Sequence, residues 1–142
     1  KVPLAWKSQR ELEDLSMITL NCWLPEKEMF GRFSLASLSA AGDVLEAVVS
    51  NEVFQFVIRF PRGVGACRVT EAARAAERLA SLAEDYEVYM RGNTFFKLRG
   101  CPFEDQCGRE GDIHYLIAAP NYVVDILSNA APSVQLSRAQ KA

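Results

Sequence analysis

From Val53 to Phe60 the chain reads Val-Phe-Gln-Phe-Val-Ile-Arg-Phe, and Phe54, Phe56, Ile58 and Phe60 fall on every second position. On a helix four such side chains scatter around the axis, whereas on a strand they share one face. That face is too apolar to stand in water, so the chain has to build a sheet and cover it. The opposite face, Val53, Gln55, Val57 and Arg59, is milder.

The segments downstream supply candidates for the cover. Pro61 to Gly65 is a loop whose Gly-x-Gly lacks the rest of a phosphate-binding fingerprint. Thr70 to Glu84 predicts a helix, with Thr70 as cap, Glu71 at the positive end of the dipole, and Ala72, Ala75, Ala76, Leu79, Leu82 and Ala83 as the buried stripe. Tyr86 to Arg91 alternates, Gly92-Asn93 reads as a two-residue hairpin turn, and Thr94 to Arg99 returns. Ile113 to Ala118 is a further strand. Asn121 then reads as an N-cap after Pro120, with Val123, Ile126, Leu127 and Ala130 on one helical face, stopped by Asn129 and Pro132. Val134 to Leu136 is a last short strand.

This order predicts the α+β class and a split βαββαβ plan, an antiparallel sheet with two helices on one face. Upstream, Ser16 to Leu24, Phe33 to Leu38 and Val44 to Val49 read as strands, with a turn at Ala40 to Asp43 and a solvated entry at Arg10 to Asp14. The organisation expected is one domain over 1–142: an N-terminal β extension at 1–50, a core at 53–136 and a polar tail at 137–142.

With 49% hydrophobic residues in 142 and a net charge of -2, the chain can bury a core. Nothing in it favours nucleic acid or membrane insertion. Lys1 is not an initiator methionine, which implies trimming. The four cysteines, Cys22, Cys67, Cys101 and Cys107, allow three pairings. A disulfide between Cys101 and Cys107 would close a short loop and leave Cys22 to pair with Cys67. Paired cysteines imply a secretory route and a secreted protein. No cysteine spacing fits a zinc ribbon, and with one histidine no metal or cofactor is expected.

That histidine, His114, stands among Ile113, Tyr115, Leu116 and Ile117 and reads as a satisfied strand residue. Glu104, Asp105, Glu110 and Asp112 read as a solvated acidic loop, and Trp6, Trp23 and Phe30 as core. No Ser/His/Asp set can be assembled, so no catalytic residue is assigned and the chain is not expected to be an enzyme.

Phe56 to Phe60, the helix from Glu71 to Leu82, and Val124 to Val134 with its Pro-Ser-Val turn resemble the propeptides of subtilisin-like serine proteases and the related free-standing inhibitors. The resemblance implies a secreted, monomeric inhibitor of a subtilisin-like serine protease. Val134, Gln135, Leu136, Ser137, Arg138, Ala139, Gln140, Lys141 and Ala142 would bind the substrate groove by strand addition. Ser137 to Gln140 departs from the acidic residues usual in that family. The chain also stops short of the family's cleavage position, so either it continues natively or inhibition is weaker or sterically different.

Val57-Ile-Arg59, the same helix, and Phe96 to Cys101 with Gly111-Asp112 are similar to the parvulin-type prolyl isomerases, without the histidine expected near Phe56. That likeness implies shared shape, and as an alternative a degenerate isomerase. Both likenesses in one cysteine-bearing chain resemble the microneme proteins of apicomplexan parasites. A secreted adhesion or interaction module is the remaining alternative.

Overall fold

The computed structural model describes residues 18–138. Trp6, the entry at Arg10 to Asp14, and Ala139, Gln140, Lys141 and Ala142 of the expected tail lie outside the described residues.

Among the described residues nine strands form two antiparallel sheets. They are β1 (Thr19–Cys22), β2 (Ser34–Ala41), β3 (Val44–Ser50), β4 (Phe54–Phe60), β5 (Val64–Glu71), β6 (Phe95–Arg99), β7 (Ile113–Ala118), β8 (Tyr122–Ser128) and β9 (Ser133–Arg138). The helices are α1 (Ala76–Gly92) and the short α2 (Pro102–Cys107), with a 3-10 turn at Lys27–Met29. One sheet has the order β1-β6-β7-β8-β5 and the other β2-β3-β4-β9.

The phenylalanine face of β4 is covered by the other sheet. Phe33, Val49, Phe56, Ile58 and Phe60 meet Phe95, Tyr115, Ile117, Val124 and Ile126 in one apolar layer. The Phe33 and Phe56 rings meet edge-on at 5.4 Å. The reverse face of the five-stranded sheet carries Leu20, Phe96, Leu98, Leu116 and Val123 against Ala75, Leu82 and Met90. The five-stranded sheet is therefore the middle of three layers.

The α+β class and the antiparallel pairing agree with the sequence reading. So do β4, β6, β7, β9 and the β2–β3 hairpin, which Gly42 closes at φ +61. Residues 34–50, expected as an extension, join the sheet of β4, β3 hydrogen-bonding to β4 and β2 to β3, and share its core.

Two elements depart from the split βαββαβ path. Tyr122–Ser128 is strand β8, where a second helix was expected. Both its faces are buried, so it shows no alternation, and Val123, Ile126 and Leu127 fill a helical template by accident. Pro120 and Asn121 form the β7–β8 turn, and the Asn121 amide pairs with the backbone of Leu35 instead of capping a helix.

The first helix is also displaced. Thr70 and Glu71 end β5, and α1 begins at Ala76. It runs through Tyr86–Arg91, expected as a strand, with one non-helical residue at Tyr86. Leu79, Leu82, Ala83, Tyr86 and Met90 pack together at continuous helical spacing. Asn93 ends the helix with extended backbone, so Gly92-Asn93 is no hairpin.

The disulfides expected do not form, and all four cysteines are free thiols. Cys22 and Cys67 lie on β1 and β5, the opposite edges of the five-stranded sheet, about 19 Å apart at the usual strand spacing. Cys101 and Cys107 lie at the two ends of α2, a rise of about 9 Å, beyond the reach of a disulfide. Of the aromatics expected in the core, Trp23 packs edge-on against Tyr115 at 5.1 Å, whereas Phe30 is 67% exposed.

Phe56→Ala should cost about 3–5 kcal/mol in urea unfolding, because the ring is fully enclosed between the sheets. Leu136→Ala, on the half-open edge strand β9, should cost about 1 kcal/mol or less. Equal losses would contradict the two-sheet core.

Candidate functional site

Asp125 is a carboxylate in the middle of an apolar strand, and its side chain has no exposed surface. On β8 it faces the helices, on the same side as Val123 and Leu127. Three elements bring it partners. Arg68 is its register partner on β5 and donates through Nε and Nη2 at 3.4 and 3.2 Å. Arg78, near the start of α1, donates from both Nη atoms at 2.7 and 2.6 Å. His114 on β7 donates from Nε2 at 2.6 Å.

The segment after β6 completes the cluster. Cys101 stands at the N-cap of α2, Pro102 opens it, and Glu104 in the third position reaches back to the Cys101 N–H at 3.1 Å. The Gly100 N–H donates to the other Glu104 oxygen at 3.2 Å. The same Glu104 oxygen that takes the Cys101 N–H also faces His114 Nδ1 at 3.0 Å.

Both ring nitrogens of His114 thus face carboxylates. Burial opposes charging the ring, but hydrogen bonds to Asp125, Cys101 and Glu104 overcome it and raise the pKa to about 9. For Asp125, burial favours the neutral acid, and the bonds and charges of His114 and Arg78 outweigh it, holding the carboxyl well below its usual range. With His114 protonated, three cations stand against two carboxylates, leaving one positive charge at this spot.

Above the cluster is a cavity of about 700 Å³ between α1, α2 and Ile18. Arg68, Arg78 and Cys101 line it together with Leu82, Tyr86 and Phe103, and Glu77, Glu84 and Asp85 stand on its α1 wall. The Arg68 guanidinium stacks over the Phe103 ring at 4.3 Å.

Sequence reasoning singles out His114 as a satisfied strand residue, and it is one. Glu104 belongs to this cluster and not to a solvated loop; Asp105 and Glu110 are exposed. Asp125, Arg68 and Arg78 escape it. Their signal is Asp125 itself, a charge inside Tyr-Val-Val-Asp-Ile-Leu, which cannot be buried unpaired. Of the expected protease-binding segment, Val134, Gln135, Leu136, Ser137 and Arg138 lie in β9, hydrogen-bonded to β4 in the other sheet.

Comparisons with protein-family models, with curated proteins and with solved structures found no match to this chain.

Asp125→Asn should cost about 3–5 kcal/mol, because it leaves the buried His114 ring without the carboxylate on its Nε2 side. Glu87→Gln, which breaks the exposed Glu87–Arg91 pair, should cost about 0.5 kcal/mol or less. A raised histidine pKa lends stability that is complete below the ordinary value of 6.5 and is lost as pH rises toward about 9. Denaturant midpoints in chelator-containing buffer should fall across that window in the parent protein and stay level there in His114→Gln.

Proposed function

We propose that the cavity beneath α1 is a ligand-binding site for a small amphipathic anion. The observation that carries this reading is the pair of arginines fixed on one buried carboxylate at the wall of a cavity of about 700 Å³. Asp125 engages two N–H groups of each guanidinium and leaves further donors on both. The donors are thus held in place before a ligand arrives, which lowers the ordering cost of binding. The two arginines, rather than the net charge of the cavity, would take one anionic group, because Glu77, Glu84 and Asp85 on the α1 wall outnumber the single excess positive charge of the cluster. Leu82, Tyr86 and Phe103 offer the apolar surface for the rest of the ligand, in a volume usual for small-molecule sites.

Calorimetry with medium-chain and aryl carboxylates and phosphates, beside their amide and alcohol analogues, tests this. The anions should bind at least about tenfold more tightly than the neutral analogues, a difference of about 1.4 kcal/mol. Arg68→Gln should lose a similar factor while remaining folded, since Arg78 still holds Asp125. Neutral analogues that bind equally well would overturn the reading. Turnover of a prolyl peptide that disappears in Cys101→Ser would replace it with the isomerase alternative.

A second reading keeps the expected inhibitor of a subtilisin-like serine protease, secreted and acting by strand addition. It is favoured by β9, which ends the four-stranded sheet and pairs, among the described residues, only with β4. Its open edge is a template for another chain, and Leu136 is 39% exposed beside it. Against it, the split βαββαβ plan of that family needs a helix where β8 stands. Intact protein should inhibit a subtilisin at nanomolar to micromolar concentration, and deletion of residues 139–142 should abolish the effect. Failure of the intact protein to inhibit would remove this reading and leave the cavity reading untouched.

A further inference from the structure

We propose that Cys101, Glu104 and His114 form a binding site for a zinc-type divalent cation at the wall of the α1 cavity. A sulfur, a carboxylate oxygen and an imidazole nitrogen, one from each residue, lie within 4.8 Å of one another. Tetrahedral zinc with these ligand types sets its donor atoms roughly 3.3–3.8 Å apart, so small side-chain rotations close the set. His114 Nδ1 and Glu104 Oε2 already stand 3.0 Å apart.

The surroundings have the character of an outer shell. His114 presents Nδ1 to the site and keeps Nε2–H for Asp125 at 2.6 Å. A carboxylate behind a ligating histidine fixes the tautomer and makes the free nitrogen a better ligand. Arg78 and Arg68 in turn hold Asp125. The Gly100 N–H holds the second oxygen of Glu104, which leaves Oε2 as a single ligand atom. Three protein ligands leave one position open, and Cys101 lines the cavity from which water or a ligand atom would fill it. Three protein ligands and an open position is the arrangement of catalytic rather than structural zinc sites.

The inference uses the cavity assigned above but does not depend on an anionic ligand, because the metal alone is the probe. Chelator-treated full-length protein is titrated with Zn²⁺ and, separately, with Co²⁺. One equivalent should bind at micromolar or lower concentration, and cobalt should show a thiolate charge-transfer band. Cys101→Ala should remove the band. Glu104→Gln, which keeps the volume and is checked for folding by circular dichroism, should weaken binding at least tenfold. Asp125→Glu, which keeps the charge but displaces the carboxylate, should weaken it by about 10–100-fold. Cys67→Ala and Cys107→Ala, at exposed thiols, should change nothing. No uptake at micromolar metal overturns the proposal. A band that survives in Cys101→Ala also overturns it, by placing the cation on another cysteine. Neither result bears on anion binding, which calorimetry on metal-free protein reads separately.

Discussion

A buried carboxylate decides how this protein is put together. Asp125 has no exposed surface, and taking a bare carboxylate out of water costs several kcal/mol unless fixed donors replace the water. Here β5, β7 and α1 each contribute a cationic partner. The pairing of β8 with both neighbours and the seating of α1 are tied to the same group. A one-residue slip of β8 would turn Asp125 into the layer between the sheets, among Phe95, Tyr115 and Phe60, where nothing pairs with it. The carboxylate therefore specifies register as well as contributing energy, and it penalises the wrong register more than it stabilises the right one.

The three-layer arrangement gives that group its setting. The five-stranded sheet is covered on one face by the second sheet and on the other by α1 and the α2 segment. Its central strands β7 and β8 are buried on both faces, which is unusual for antiparallel strands and removes the alternation that normally marks them. The helical layer is thin between α1 and α2, and the cavity lies there. Arg68, Arg78 and Cys101 of the polar cluster line its wall, where fixed charges meet a space large enough for a ligand. Arg68 and Arg78, which neutralise Asp125, also line the cavity, so the two proposed sites meet at this wall.

The strands whose two faces differ are legible in the sequence. The phenylalanine face of β4 and the alternation of β9 follow from period-two patterning, and the turn between β2 and β3 from its Gly-Asp pair, whereas β6 is placed by a hairpin turn that does not form. The elements that mislead do so for one reason. In β8 both faces are apolar, so a helical template fits equally well. At Tyr86 to Arg91 short alternation conceals the end of a longer helical stripe. In the site, His114 stands out because it is the single histidine. Cys101 reads only as a half of a disulfide that the length of α2 forbids. Arg68 and Arg78 carry no local signal, because an arginine near the surface of a strand or helix reads as solvated until its partner is known.

The sequence by itself determined that a β-rich core must form around Phe54 to Phe60 and that an alanine-rich helix packs on a sheet. Only the tertiary structure decided that β8 is a strand, that two sheets rather than one enclose the phenylalanines, and that Arg68, Arg78, Cys101, Glu104, His114 and Asp125 converge. The physical reason is range. Periodicity, caps and turns act over a few residues and are written locally. The partners of a buried charge are chosen by whichever chain segments the packing brings within hydrogen-bond distance, here 47 and 57 residues apart for the two arginines.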